Sequence, residues 1–428
     1  MRISQAQRRA RLGTRHLLAG KAATPEEAAA AVVALHGTDP ATVFLSAGAR
    51  LTAPGPEPVE RALYADRTLV RMTGMRRTVF VVPSELVPVV HHSSALAIAR
   101  RERASVLKTF GEGGWDEARL KDVEASVLRL LAESGDATAA ELGRLEPRLR
   151  EQVRVAVGKP YEGVVSIGSR LLALMAMDGL LVRRARAGGT WVSGTHYWGL
   201  APEMAELAAH EAQAELVTRW LAAFGPGTEA DLKWWTGWTL KDVRRALSAA
   251  GAVAVELDEG TGYVLPGDGE ETAVPEPWAA LLPALDPTPM GWQARDWYLP
   301  PEHRAELFDR NGNVGPTVWW DGRVVGGWAQ RPDGEIVWRL LEDAGGQAVA
   351  AIEAEAAGLA AWLGEVRVTP RFRTPWSGSC RAPEIVRTPC GRTPRRSSGR
   401  PGRSRPPGSW RRAPPPGGRG SAASARPR

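Results

Sequence analysis

The chain has 428 residues, of which 43% are hydrophobic and 24% charged. At about 100–200 residues per domain, this length predicts two to four domains. No apolar run reaches the ~18 residues of a membrane span, and Met1 to Gly20 carry arginines without an apolar core, so we predict neither a membrane partner nor secretion. Both cysteines, Cys380 and Cys390, lie near the C-terminus, which excludes disulfides and thiolate metal sites elsewhere.

The formal net charge of +7 comes from the C-terminal segment. Residues 376–428 contain 13 Arg and one acid, Glu384, which gives this segment +12 and leaves −5 on residues 1–375. The segment is rich in Pro, Gly and Ser and has too little apolar surface to offset chain entropy. We therefore predict a disordered basic tail over 376–428. The abrupt change in composition also fits a read-through or frame-shifted terminus.

The first predicted elements are helices followed by a hairpin. Thr24-Pro25-Glu26-Glu27 is a helix start, because it places Thr24 at the N-cap, Pro25 at the first helical position and Glu27 at the third. This helix is predicted to run to about His36. Other helices are predicted at 5–18, 39–50, 58–64 and 83–110, and strands at 69–72 and 78–82.

The same order of elements returns twice. Helices are predicted at 116–131, 136–142 and 164–177, followed by strands at 180–184 and 190–192 around Gly188-Gly189. A third set has helices at 203–224, 227–232 and 239–250 and strands at 252–257 and 263–265. Helices that end in a two-stranded hairpin are typical of winged helix-turn-helix units, so we predict three of them in tandem.

The segment that follows differs, because its turns at Asn311-Gly312 and Asp321-Gly322 are typical of β-hairpins. We predict a small β-rich, barrel-like domain with a helix at 346–363. The fold class is therefore α+β. The predicted domains are winged helices at 1–112 (with the long helix), 113–200 and 201–270, the β-rich domain at 271–375 and the tail at 376–428.

Common catalytic and cofactor motifs are absent from the sequence. It contains no HExxH, GxGxxG or GxSxG pattern. Gly163 to Gly168 has the spacing of a phosphate-binding loop, but Ser169-Arg170 stands where Lys-Ser/Thr is required. We predict neither a cofactor nor a metal.

Arginines cluster on the predicted hairpins and on the long helix. These elements suit contact with DNA phosphates, and we predict double-stranded DNA as the partner. Each arginine taken alone is equally explained as a solvated surface charge. The candidate DNA-binding residues are Arg71, Arg76, Arg77, Arg100, Arg101, Arg183, Arg184 and Arg186.

Six stretches resemble the tandem winged-helix proteins that include the AlkZ- and YcaQ-like bacterial DNA glycosylases. They are Val33–Pro40, Ala62–Arg67, Met75–Pro83, Gly227–Gly237, Leu281–Asp286 and Asp321–Trp328. The resemblance covers about residues 5–375. It implies a C-shaped protein that encircles duplex DNA and removes alkylated or cross-linked purines.

The resembling glycosylases hold the attacking water with a Gln-x-Gln or Gln-x-Asp motif at the end of an early helix. The matching positions here are His36-Gly37-Thr38. The resemblance thus makes His36 and Thr38 the catalytic candidates, since imidazole and hydroxyl groups can both bind a water. Structural roles are the alternative: Thr38 or Asp39 caps the next helix, and His36 fills a helix junction.

The sequence therefore favours a monomeric, cytoplasmic, bacterial enzyme of DNA repair. Its predicted reaction is hydrolysis of the N-glycosidic bond of alkylated purines in duplex DNA. A non-catalytic winged-helix protein, such as a regulator or a lesion sensor, is the alternative, and the altered motif favours it.

Overall fold

The computed structural model describes residues 1–155, 158 and 162–379 of the chain. In the first segment, Thr24 and Glu27 form the capping box that the sequence predicts at the start of α2. The strands form one antiparallel sheet in the order β1-β3-β2. The elements are α1 (Gln5–Arg15), α2 (Pro25–Ala30), β1 (Leu35–His36), α3 (Pro40–Gly48), α4 (Pro56–Glu60), β2 (Leu69–Thr73), β3 (Val79–Pro83), α5 (Val87–Val90) and α6 (Leu96–Phe110).

The second segment has an antiparallel sheet in the order β4-β8-β7, and Thr138 caps α8 through a capping box with Glu141. A short hairpin of β5 and β6, which the sequence analysis did not predict, precedes α9. The elements are α7 (Glu117–Ser134), β4 (Ala137–Thr138), α8 (Ala139–Leu145), β5 (Gln152–Val155), β6 (Gly163–Ser166), α9 (Ile167–Met177), β7 (Leu181–Arg186) and β8 (His196–Leu200).

The third segment consists of helices and one hairpin, in the predicted order. Thr228 and Asp231 form a capping box at the start of α11. The elements are α10 (Ala209–Phe224), α11 (Glu229–Thr236), α12 (Leu240–Ala249), β9 (Val253–Leu257) and β10 (Gly260–Val264).

The C-terminal segment contains an open sheet, so the expectation of a barrel-like domain is wrong. Its order is β11-β12-β13-β14, and β11 and β14 are edges that do not pair with each other. Helix α14 packs against β11, β12 and β14 and covers the sheet instead. The elements are β11 (Ala279–Leu282), α13 (Arg304–Leu307), β12 (Thr317–Trp320), β13 (Arg323–Gln330), β14 (Ile336–Leu340), α14 (Gly345–Leu363) and α15 (Pro375–Ser379).

The prediction that a helix runs to about His36 is wrong. Helix α2 ends at Ala30, and Val33 has a φ of 62°, which no α-helix accommodates. His36 then lies in strand β1, opposite Phe80 of β3. Long-range strand pairing has overridden the helical propensity of the alanine-rich run.

The second hairpin also differs from its prediction. Residues 190–192 form a turn, and the return strand is β8. Trp191 is buried, with ring centroids 5.1 Å from Phe44 and 5.5 Å from Trp362. Because this side chain anchors the hairpin loop to α3 and α14, the loop is not the free wing tip that its glycines suggested.

Two large hydrophobic cores organise the described residues, all of which belong to one compact unit. The larger core joins side chains of the first, third and C-terminal segments, and the second is built from α6 and the second segment. None of the helices described here is both long and apolar enough to cross a bilayer.

The packed part of the chain extends past residue 375. Trp376 in α15 is 1% exposed and clusters with Ala329 of β13 and the partly buried Val337 of β14. The predicted tail therefore starts with a buried residue. The rest of that tail, residues 380–428 with Cys380 and Cys390, lies outside the described residues.

We expect truncation after Pro375 to lower the free energy of unfolding by about 3–5 kcal/mol relative to truncation after Ser379, because it removes a buried tryptophan. Thermal unfolding of the two truncated chains measures the difference. Trp376→Ala in the longer chain should reproduce most of the loss. Equal melting temperatures for the two truncations would show that α15 contributes nothing to stability.

Candidate active site and nucleic-acid interface

The imidazole of His36 is packed against the first sheet. The residue is 8% exposed, and its ring meets Phe80 edge-on, with centroids 5.7 Å apart. Nδ1 accepts a hydrogen bond from the backbone N–H of Thr38 at 3.4 Å, and Nε2 has no partner among the described residues. A neutral ring that accepts at Nδ1 carries its proton on Nε2. His36 is therefore arranged to donate one hydrogen bond.

Burial and, secondarily, the charge of Arg76 lower the pKa of His36 to about 4. The ring is therefore neutral at neutral pH. Because a group with so low a pKa is a weak base, the site favours the positioning of a water over general-base catalysis.

The turn after His36 separates the candidate water-binding group from the helix cap. Asp39 caps α3: its Oδ1 accepts from Ala41 N–H at 3.2 Å and its Oδ2 from Arg371 N–H at 3.1 Å. The half-buried Thr38 has no side-chain hydrogen bond among the described residues. Of the two predicted caps, Asp39 is thus the one that is used, and the Thr38 hydroxyl is left to bind a water.

Gly37 brings this turn close to β3. Its N–H donates to Val79 O at 2.7 Å, and a Cβ at this position would lie 3.3 Å from Val79 O and from the Phe80 carbonyl carbon. Arg371, from the distant C-terminal segment, donates to Thr38 O at 3.3 Å. No pattern in the sequence predicts this contact.

The arginines of the first hairpin occupy three different environments. Arg71 is half-buried, and its Nε and Nη2 are buried with no hydrogen-bond partner in the part of the chain that the structure describes. Arg76 has a φ of 54° and stacks on Trp234, 4.4 Å from the ring centroid. Arg77 is more exposed and pairs with Glu102 of α6 at 3.0 Å. The charge of Arg76 acts on His36 and that of Asp39 on Arg71, so two of these arginines border the candidate active site.

Arg100 and Arg101 lie on α6 and are exposed. Neither makes an ion pair or a side-chain hydrogen bond with the described residues. Nothing in this part of the chain competes with a phosphate for either guanidinium.

The arginines of the second hairpin are less exposed than a solvated wing requires. Arg184 donates to Leu200 O at 2.7 Å and lies 3.7 Å from Asp136, and Arg186 is paired with Glu60. Arg183 lies over Trp198, 5.5 Å from the ring centroid, and has no ion pair or hydrogen bond among the described residues. Among the described residues, Arg183 is therefore an unpaired cation, whereas its neighbours Arg184 and Arg186 are paired.

The described residues contain no group of three His, Cys, Asp or Glu side chains that could hold a metal ion. The polar groups at the candidate site are a neutral imidazole, a hydroxyl, a capping carboxylate and guanidinium groups. Such a set can orient a water and bind phosphates.

The low pKa values of buried histidines, His16 and His36 among them, predict a loss of stability in mild acid. Burial is the main cause that lowers the pKa of His16 to about 3 and that of His36 to about 4, against about 6.5 in an unfolded chain. Between the folded-state pKa and the unfolded-state pKa, the unfolded chain binds more protons than the folded chain does. The free energy of unfolding therefore falls as the pH drops below about 6.5.

We expect the melting temperature to fall between pH 7 and pH 5, and to fall less steeply in His36→Gln, which removes one of the rings whose pKa is lowered by burial. Calorimetry at constant ionic strength measures both slopes. An identical slope in the variant would show that His36 titrates normally in the folded chain.

Comparisons with known proteins agree with the resemblance seen in the sequence. The model of the family described as "DNA glycosylase AlkZ-like" matches residues 29–362. An "Interstrand DNA cross-link repair glycosylase" from Streptomyces sahachiroi is 32% identical over 183 residues, which are 41% of this chain and 48% of that protein. The alignment thus spans about half the length of this curated relative.

The fold is shared with a solved structure. "Streptomyces sahachiroi DNA glycosylase AlkZ" superposes with a TM-score of 0.67 at 24% identity, covering 86% of this chain and 99% of that one.

Proposed function

The chain belongs to the AlkZ-like DNA glycosylase family, and on that premise we propose that it hydrolyses the N-glycosidic bond of alkylated purines in duplex DNA. The observation that carries this proposal is that the family match includes the His36-Gly37-Thr38 turn. The name of the Streptomyces sahachiroi relative adds interstrand cross-links as a second substrate to test.

Hydrolysis of this N-glycosidic bond needs little acid catalysis. A base alkylated at N7 already carries a positive charge and leaves without a proton, so the enzyme must stabilise a cationic sugar and position one water. In our proposal the Nε2–H of His36 and the hydroxyl of Thr38 bind this water. The low pKa of His36, caused first by burial, suits the role, because an imidazolium would repel the developing sugar cation.

We also propose that the three helix–hairpin segments are winged-helix units, with the predicted bounds 1–112, 113–200 and 201–270, that line the duplex. Unpaired arginines would contact its phosphates, and Arg77, Arg184 and Arg186 would first have to leave their present partners. A monomer acting in the cytoplasm fits this scheme. The unpaired candidates are Arg71, Arg76, Arg100, Arg101 and Arg183.

The proposal is tested with a duplex that carries one N7-methylguanine. After incubation, alkali cleaves the strand at any abasic site, and a duplex with an N7-alkyl interstrand cross-link is assayed in parallel. We expect excision from at least one substrate, and a large loss in the double variant His36→Ala/Thr38→Ala. Tight binding without excision from either substrate would favour the non-catalytic alternative.

A further inference from the structure

Two arginines lie on neighbouring strands where the first sheet meets the second hairpin. Arg71 lies on β2 and Arg183 on β7, and these two strands are in contact. Nε and Nη2 of Arg71 are buried and have no hydrogen-bond partner among the described residues. Arg183 has neither an ion pair nor a hydrogen bond within the described residues. We call these two residues the arginine pair.

The arginine pair is electrostatically unfavourable as it stands. Burial and then the charge of Arg71 lower the pKa of Arg183 to about 10, and burial lowers that of Arg71. Asp39 and Tyr64 act on Arg71 from a distance, but within the described residues neither bonds to it. Buried charges are ordinarily paired, because an unpaired one keeps its full desolvation cost.

The neighbouring histidine supplies no compensating charge. His196 on β8 has its Nδ1 3.0 Å from Gly194 O, to which it donates, and its ring meets Trp198 edge-on at 4.7 Å. Burial, followed by the charges of both arginines, keeps its pKa at about 4, so the ring is neutral.

The two other arginines of this strand have ion pairs, although the Nε of each is buried without a hydrogen-bond partner among the described residues. Arg186 is paired with Glu60, and Arg184 has Leu200 O and Asp136. Within the described residues, Arg71 and Arg183 differ from these two neighbours in having neither an ion pair nor a hydrogen bond. A missing anion accounts for this difference.

The arginine pair borders the candidate active site. Asp39, which acts on Arg71, immediately follows Thr38 in the chain. The loop of the second hairpin also reaches this point, since a Cβ on Gly194 would lie 3.8 Å from Cγ of Pro40 at the start of α3. An anion held here lies beside the turn that we propose to position the water.

We propose that Arg71 and Arg183 together bind one phosphodiester group of the DNA backbone close to the lesion. The inference rests on the proposed function, because the phosphate belongs to its substrate. Guanidinium groups match phosphate oxygens in a planar fork, so one phosphate can accept from both side chains. The bound phosphate relieves their repulsion and places a negative charge beside the cationic sugar.

Methylphosphonate interference tests this directly. A duplex containing a tetrahydrofuran abasic analogue fixes the register, and single backbone phosphates around it are replaced by neutral methylphosphonates. For the wild-type chain we expect one position where the replacement costs roughly 10-fold in affinity, which is about 1.4 kcal/mol. Arg71→Gln and Arg183→Gln should bind the unmodified duplex about that much more weakly and be insensitive at that one position.

Salt dependence on undamaged duplex gives a readout independent of excision and of lesion register. Each variant should flatten the plot of log affinity against log salt by about 0.9. Arg119→Gln is the matched control: Arg119 also stacks on a tryptophan, at 4.3 Å, but pairs with Glu151 at 2.7 Å. An unchanged slope in both arginine-pair variants would overturn the proposal.

Three further outcomes are decisive. Neutralising either arginine should leave the melting temperature unchanged or raise it, and a clear fall in both variants would show a packing role instead. Inorganic phosphate that stabilises the wild-type chain, while both variants bind DNA normally, would assign the site to the free ion and reject the proposal. Excision assays keep the two proposals apart: the flattened slopes can appear without excision, and excision can persist with unchanged slopes.

Discussion

Asp286→Ala is expected to lower the free energy of unfolding by about 3–5 kcal/mol, because it leaves a buried guanidinium without its counter-ion. Arg50 and Asp286 are both 0% exposed and form two parallel bonds of 2.9 and 2.8 Å. The second hydrogen bonds of Nη1 and Nη2 reach Ser46 O and Thr288 Oγ1, each at 2.7 Å, whereas Nε of Arg50 is buried without a partner among the described residues. Burial opposes ionisation of Asp286, but Arg50 holds its pKa below the ordinary value.

The pair also connects the candidate site to the C-terminal segment. Arg50 follows α3, which starts directly after Thr38 and Asp39, and Asp286 follows β11. Without the ion pair, α3 loses its connection to the loop that carries Thr288. The hydroxyl of Thr288 is also hydrogen-bonded to His16 Nδ1 at 2.9 Å. We therefore expect excision to fall along with stability.

Denaturant unfolding of wild type and variant measures the change. Arg50→Met/Asp286→Leu is the matched control, because removing both charges avoids the uncompensated ion and should recover much of the loss. If the free energy of unfolding of Asp286→Ala lay within about 1 kcal/mol of the wild-type value, water or a neighbouring side chain would have to replace the carboxylate.

Local chemistry explains which elements the sequence predicts correctly. The capping boxes at Thr24, Thr138 and Thr228 each involve residues only three apart in the chain, so the three helices start within three residues of their predicted bounds. The Asp321-Gly322 turn likewise joins β12 to β13 as expected. In these cases each element is specified by residues that are adjacent in the chain.

The predictions are wrong where residues distant in the sequence determine the local structure. His36 lies in a strand because it pairs with Phe80. Trp191 lies in a loop, not in the predicted strand, because its side chain packs against Phe44 and Trp362. Nothing near either residue in the sequence encodes its partner.

The same limit applies to the candidate site. Its residues could be proposed from the motif, but neither the neutral state of His36 nor the contact of Arg371 could. Both depend on how the C-terminal segment and the first hairpin pack around the turn. Likewise, the sequence shows clustered arginines but not which of them have partners.

We expect His36→Ala to lower base excision at least ~10-fold, about 1.4 kcal/mol of barrier, while lesion-DNA binding stays within a few-fold. The ring is held by Phe80 and by the N–H of Thr38, with its Nε2–H left to orient a water. Removing that donor should slow the attack of water on C1′ more than it weakens the affinity for lesion DNA.

His36→Gln separates this role from packing. Glutamine keeps a donor at the position where the resembling glycosylases have that residue type, so we expect it to retain most of the excision rate that alanine loses. Single-turnover rates and melting temperatures are measured side by side for both variants. If the ring only fills space against Phe80, both variants should lose stability, and binding and excision should fall together, because an emptied or reshaped cavity weakens the whole site. A rate loss confined to alanine, with matched melting temperatures, would instead assign the water to His36.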